Sequence, residues 1–240
     1  MTEVYLVVRK AEDFNPTYNR HINLQSMMNT TRTQTLGEEI ANALSHGIAC
    51  AISILALVLL IRSGQALSTT RLVAAIVFGA TMILLYLAST LYHALPQGKT
   101  KRVFLILDHG AIYIFIAGSY TPFALGPLAG AWGWTIFGII WGLAVLGVTF
   151  KALGLLARPW ISNSFYLAMG WLVLIAVVPL TERMATQGLI FLVSGGLAYT
   201  AGILFFSLDS RYKYAHAIWH SFVVLGSGFH ILAALDSMVS

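Results

Sequence analysis

The sequence predicts an all-α, polytopic membrane protein with seven transmembrane helices, its N-terminus cytoplasmic and its C-terminus outside. Three observations predict it. First, 58% of the 240 residues are apolar and only 10% are charged, against about 25% charged in a soluble domain. Second, the apolar residues gather into seven continuous runs, each close to the ~20 residues that cross a bilayer core as a helix. Third, Lys and Arg fall mostly on one side of those runs. With a mean hydropathy of +0.79, a chain of this length exposes more apolar surface than a water-soluble monomer tolerates, so lipid must cover part of it. The runs are unbroken rather than alternating, which excludes a transmembrane β-barrel.

Residues 1–37 are polar, carry Glu3, Glu12 and Asp13, and hold a Ser/Thr/Asn-rich stretch from Ser26 to Thr35. They lack the apolar core of a signal peptide and are expected to be a flexible cytoplasmic tail; residues 38–240 form the membrane domain. The first run is Ala41–Ile61. The second, Leu72–His93, holds the small pair Ala74-Ala75 and stops before the turn Pro96-Gln97-Gly98. Val103–Leu125 carries Pro122, which is expected to kink it. Trp132–Leu153 and Trp160–Leu180 each open on a Trp, and Gly188–Leu208 contains Gly195-Gly196, the small residues that let helices approach in lipid. The turn Asp209-Ser210-Arg211 leads into the last run, Tyr214–Leu235. Trp132, Trp134, Trp160, Tyr212 and Tyr214 sit at run ends, where aromatic belts form.

Eleven of the fourteen Lys and Arg residues lie on the side of the N-terminus: Arg9, Lys10, Arg20, Arg32, Lys99, Lys101, Arg102, Lys151, Arg158, Arg211 and Lys213. Only Arg62, Arg71 and Arg183 lie opposite. The excess marks the cytoplasmic face and accounts for the net charge of +5 without a nucleic-acid partner. The expected location is the plasma (inner) membrane, multi-pass, with membrane lipids as the partners. Cys50 is the one cysteine and has no intramolecular disulfide partner.

Five of the seven His residues converge on the cytoplasmic ends of four runs: His46, His93, His109, His216 and His220. Asp108 lies about a turn inside the third run. His216 and His220 share a helix face at i, i+4, as do Ser89 and His93, while Glu39, Asn42 and His46 repeat at i, i+3, i+7. Ionisable groups at membrane depth usually face the bundle interior in a functional role. Three imidazoles with a fourth position open make a catalytic type of zinc site, beside which Asp108 would orient or deprotonate a water. Simpler readings compete. Glu39 and Asn42 alone suit a helix N-terminal cap. His109, His21 and His230 read as ordinary interfacial side chains.

Three motifs give the chain its resemblance. Glu39-Ile-Ala-Asn42-Ala-Leu-Ser-His46 is the first, Ser89-Thr-Leu-Tyr-His93 followed by Asp108 is the second, and His216-Ala-Ile-Trp-His220 is the third. In this order and at these run ends they resemble the bacterial hemolysin III proteins, within the wider progestin and adipoQ receptor family and its alkaline-ceramidase relatives. The resemblance covers roughly residues 36–236. It implies a zinc ion on His93, His216 and His220, with Asp108 and Ser89 in catalytic roles and Glu39, Asn42 and His46 in a surrounding polar shell. It implies three candidate functions: a zinc-dependent hydrolase of lipid amides or esters in membrane lipid homeostasis, a non-enzymatic sensor of lipid or membrane state with structural zinc, and a cytolysin.

Overall fold

The computed structural model describes residues 32–65, 68–156 and 158–239. Most of the expected tail, with His21, lies outside the described residues. The helices in chain order are α1 (Leu36–Gln65), α2 (Thr69–Ala94), α3 (Lys99–Leu125), α4 (Ala131–Ala152), α5 (Pro159–Gly170), a 3-10 stretch (Trp171–Ala176), α6 (Val177–Arg183), α7 (Thr186–Ser207) and α8 (Ala215–Val239). Seven segments are long and apolar enough to span a bilayer, the fifth being α5, the 3-10 stretch and α6 together. No strand occurs among the described residues. The seven-span, all-α fold is as the sequence predicts.

The helices bury their polar residues and expose their apolar ones, the reverse of a soluble bundle. In α1 the exposed face is Ile40, Leu44, Ile48, Ile52, Leu55 and Leu59, while Asn42, His46, Ala49 and Ser53 are buried. Lipid is the solvent for such a helix, so the polar stripe must find partners inside. It does so against α2 and α8, which flank α1. Sequential helices pack side by side from α1 to α4, α8 packs along α7 and closes back onto α1, and the fifth span leans on α3 and α7 more lightly.

Two local features depart from the sequence reading. Helix α1 begins at Leu36, five residues before the expected span, so Glu39 and Asn42 lie inside the helix and cannot cap it. The cap is Thr35 with Glu38: the Glu38 carboxylate accepts from the Thr35 N–H at 2.9 Å and from its hydroxyl at 2.8 Å, a Thr-x-x-Glu capping box. The fifth span, expected as one helix over Trp160–Leu180, is broken by the 3-10 stretch. Helix α3, meanwhile, continues through Pro122 to Leu125.

Candidate metal centre

His93 closes α2, and His216 and His220 lie in the first two turns of α8. The 3.6-residue repeat puts His216 and His220 one turn apart on the face of α8 that meets α1 and α2. The three ring centroids stand 4.7 to 5.2 Å apart, and one ligating atom from each ring falls within 4.8 Å of the other two. All three rings are buried.

The hydrogen bonds divide the ring nitrogens into two sets. Every Nδ1 has a partner: Glu39 Oε2 at 2.7 Å for His93, Asp209 Oδ2 at 3.0 Å for His216, and Ser45 Oγ at 3.1 Å for His220. Every Nε2 is buried without one. Buried polar atoms are nearly always satisfied, so three orphaned nitrogens on three adjacent rings are what a shared ligand would match. An Nδ1–H donated to a carboxylate fixes the tautomer that leaves Nε2 free to ligate, the arrangement found around metal-bound histidines. The donor set therefore fits a metal ion, and three neutral imidazoles suit zinc among others.

Glu39, Asn42 and His46 lie around the three rings. Glu39 joins His93 to Lys101, whose Nζ lies 2.8 Å from Oε1 and 3.1 Å from the Leu95 carbonyl. Asn42 lies 3.5 Å from His93 Nδ1 and donates to Gln34 at 2.5 Å. His46 stacks on His220 with centroids 3.4 Å apart and meets Tyr86 edge-on. Asp108 is buried one helix away with Ser89, His216 and Lys151 as its polar neighbours. The Ser89 hydroxyl is also buried, beside the Asp108 carboxylate.

Two of the other expectations change. His109 stays out of the cluster: its ring is not among those whose ligating atoms gather within 4.8 Å, and its Nδ1 donates back to the Leu105 carbonyl at 2.8 Å. His230 is not interfacial: it is buried in the middle of the bundle between Tyr199 and Phe123.

Several contributors had escaped the sequence reading. Asp209 and Ser45 orient His216 and His220; Lys101 and Lys151 are buried beside the carboxylates rather than lying among headgroups. Glu38 takes Arg32 through both guanidinium nitrogens, at 2.9 and 2.5 Å, and accepts the Tyr214 N–H at 2.9 Å. Tyr214 has φ of 60°, a left-handed conformation that non-glycine residues rarely adopt, so Glu38 holds the strained turn that presents His216. Only the Thr-x-x-Glu spacing could have singled out Glu38 beforehand.

A cavity of ≈ 250 Å³ lies in the bundle between α3, the fifth span, α7 and α8. His46 and Asp108 lie in its wall at the cluster end. The rest is almost wholly apolar, with Phe115, Leu174, Leu189 and Val223 among the lining residues. A wall this apolar suits a hydrocarbon chain better than a polar ligand.

Residues 34–231 match the profile of a family described as "Haemolysin-III related". "Hemolysin-3" of Bacillus cereus is 44% identical over 207 residues, covering 86% of this chain and 94% of that protein. "Hemolysin-3 homolog" of Bacillus subtilis (strain 168) is 46% identical, covering 80% and 91%. The human "Monocyte to macrophage differentiation factor" is 31% identical, covering 92% of each.

Proposed function

The chain belongs to the haemolysin-III related family, and we propose that it is a zinc-dependent hydrolase of lipid amides or esters that acts in membrane lipid homeostasis. One observation supports the proposal: His93, His216 and His220, each with an unpartnered buried Nε2, bring ligating atoms within 4.8 Å of one another, and their neighbours Asp108 and His46 line an apolar cavity. Zinc held by the three imidazoles supplies Lewis acidity, polarising a carbonyl and lowering the pKa of water to about 7. Asp108 takes the proton of the attacking water and passes it to the leaving amine or alcohol, so the acyl carbon gains oxygen as its bond to nitrogen or oxygen breaks. Ser89 steadies the Asp108 carboxylate. Glu39, Asp209 and Ser45 keep the imidazoles aimed, and the apolar wall seats the acyl chain and excludes bulk water.

The substitution Asp108→Asn preserves shape and polarity and removes the proton acceptor. The variant should fold, keep its zinc and lose turnover by roughly 10²–10⁴-fold, the usual scale of general acid–base help. A zinc-loaded Asp108→Asn protein that turns over a verified lipid substrate at the wild-type rate ends this mechanism. A second reading is a lipid sensor whose metal only staples helices, and the origin of all three ligands on two helices, α2 and α8, favours it. On that reading the wild type releases no product from any amide or ester lipid.

A further inference from the structure

His230 sits in the cavity wall far from the metal centre, and the mechanism does not use it. It is 9% exposed, and neither ring nitrogen meets a partner at ordinary hydrogen-bond geometry. The other polar side chains in the middle of the bundle are matched. Ser119 donates to the Ile116 carbonyl at 2.8 Å. Thr200 donates to the Gly196 carbonyl at 2.8 Å and accepts from Trp171 Nε1 at 3.1 Å. The Tyr86 and Tyr199 hydroxyls both meet Ser227, at 2.7 and 3.1 Å. The bundle is also shaped around the imidazole: a Cβ at Gly195 of α7 would overlap the ring. An unmatched imidazole at membrane depth is unfavourable wherever hydrocarbon alone surrounds it.

We infer that His230 is a specificity determinant that receives a hydroxyl group carried partway along the acyl chain in the cavity. The Leu192 carbonyl of α7 lies close to the ring, so the ring N–H has an acceptor to turn to. That leaves the bare ring nitrogen as an acceptor, and a hydroxyl is the donor a lipid chain can bring. Position follows from helix geometry: His230 lies ten residues beyond His220 on α8, about 15 Å along the axis, which an extended acyl chain covers in roughly twelve carbons. A chain with its carboxyl or carbonyl carbon at the histidine cluster thus brings its twelfth carbon level with His230. The inference rests on the acyl-chain reading of the cavity and is independent of catalysis.

The test is equilibrium binding to the full-length, detergent-solubilised protein of three free acids: octadecanoic, 2-hydroxyoctadecanoic and 12-hydroxyoctadecanoic acid. The wild type should hold the 12-hydroxy acid roughly five- to tenfold tighter than octadecanoic acid, the scale of one neutral hydrogen bond. The 2-hydroxy acid should gain nothing that depends on His230. His230→Leu should bind octadecanoic acid at least as well as the wild type and lose the preference, while His230→Gln, which keeps an acceptor, should retain part of it. Wild-type protein that binds octadecanoic and 12-hydroxyoctadecanoic acid equally overturns the role of His230 and leaves the acyl cavity standing; so does a preference that survives in His230→Leu. Failure of all three acids to bind overturns the cavity reading and this inference with it. The wild-type comparison decides the matter even where a variant does not fold.

Discussion

Each histidine of the cluster is held by a different kind of partner, and the partners differ in strength. Glu39 reaches His93 at 2.7 Å while bridged to Lys101, Asp209 reaches His216 at 3.0 Å, and Ser45, a neutral hydroxyl, reaches His220 at 3.1 Å. Hydrogen bonds to a carboxylate are roughly twice as strong as neutral ones, and loss of such an orienting partner typically weakens metal binding by about 10–100-fold. Zinc titration of purified protein against a chromophoric chelator should therefore show about one zinc per chain in the wild type. His93→Ala, His216→Ala and His220→Ala should each lose most of it. Glu39→Ala should weaken binding within that 10–100-fold range, and Ser45→Ala by less. His109→Ala should leave the affinity unchanged, because that ring lies outside the group of His93, His216 and His220. Full zinc occupancy in the double variant His216→Ala/His220→Ala would refute the ligand assignment.

At the scale of the element, the fifth span is the place where backbone hydrogen bonding is interrupted inside the membrane. The 3-10 stretch Trp171–Ala176 ends close before Pro179, which offers no N–H and crowds the carbonyl four residues back. Tyr120 of α3 repairs the break: its hydroxyl lies 2.9 and 2.6 Å from the Met169 and Gly170 carbonyls and accepts the Val173 N–H at 2.8 Å. With no water in the hydrocarbon core, Tyr120→Phe strands these groups and should destabilise the protein by about 1–3 kcal/mol. Thermal unfolding in micelles measures it, and an unchanged melting temperature would show that the break has another support. The same contrast explains what the sequence reveals. Hydropathy and charge locate all seven spans, because lipid exposure is written in composition. The spacings of Glu39, His46, His93, Asp108, His216 and His220 locate the site, because helical faces are written in periodicity. The break is not legible: Trp171-Leu-Val-Leu-Ile-Ala176 is as apolar as its neighbours, and of two prolines the one at 122, not the one at 179, draws attention. The roles of Lys101 and Lys151 are also hidden, since a basic residue at a span end ordinarily faces headgroups and only the packing shows them turned inward to Glu39 and Asp108.

For the molecule as a whole, odd parity fixes much: seven spans put the start of α1 and the three-histidine cluster on one side of the membrane and the end of α8 on the other. Which side is cytoplasmic depends on the basic residues, and the structure changes how they should be counted. Lys101 and Lys151 are buried in the site and say little about headgroups. Among the described residues that leaves Arg32, Lys99, Arg102, Arg158, Arg211 and Lys213 at the end of the metal centre, against Arg62, Arg71 and Arg183 at the other. The margin is narrower than composition suggests but keeps its sign, and short connections are where the positive-inside bias acts. A reporter fused after Ser240 should therefore read outside, and one inserted at Gln97-Gly98 should read inside. Neutralising Lys101 or Lys151 should impair the site without inverting these readings, whereas neutralising Lys99, Arg102, Arg211 and Lys213 together should produce mixed topology. The functional stake is the leaflet. With this orientation the His93, His216 and His220 cluster lies at the inner-leaflet end of the bundle, and on the proposed function the cavity would take its acyl chain from that leaflet. A C-terminal reporter that reads cytoplasmic would place the same chemistry in the opposite leaflet, and the lipids offered to it in any assay would have to change accordingly.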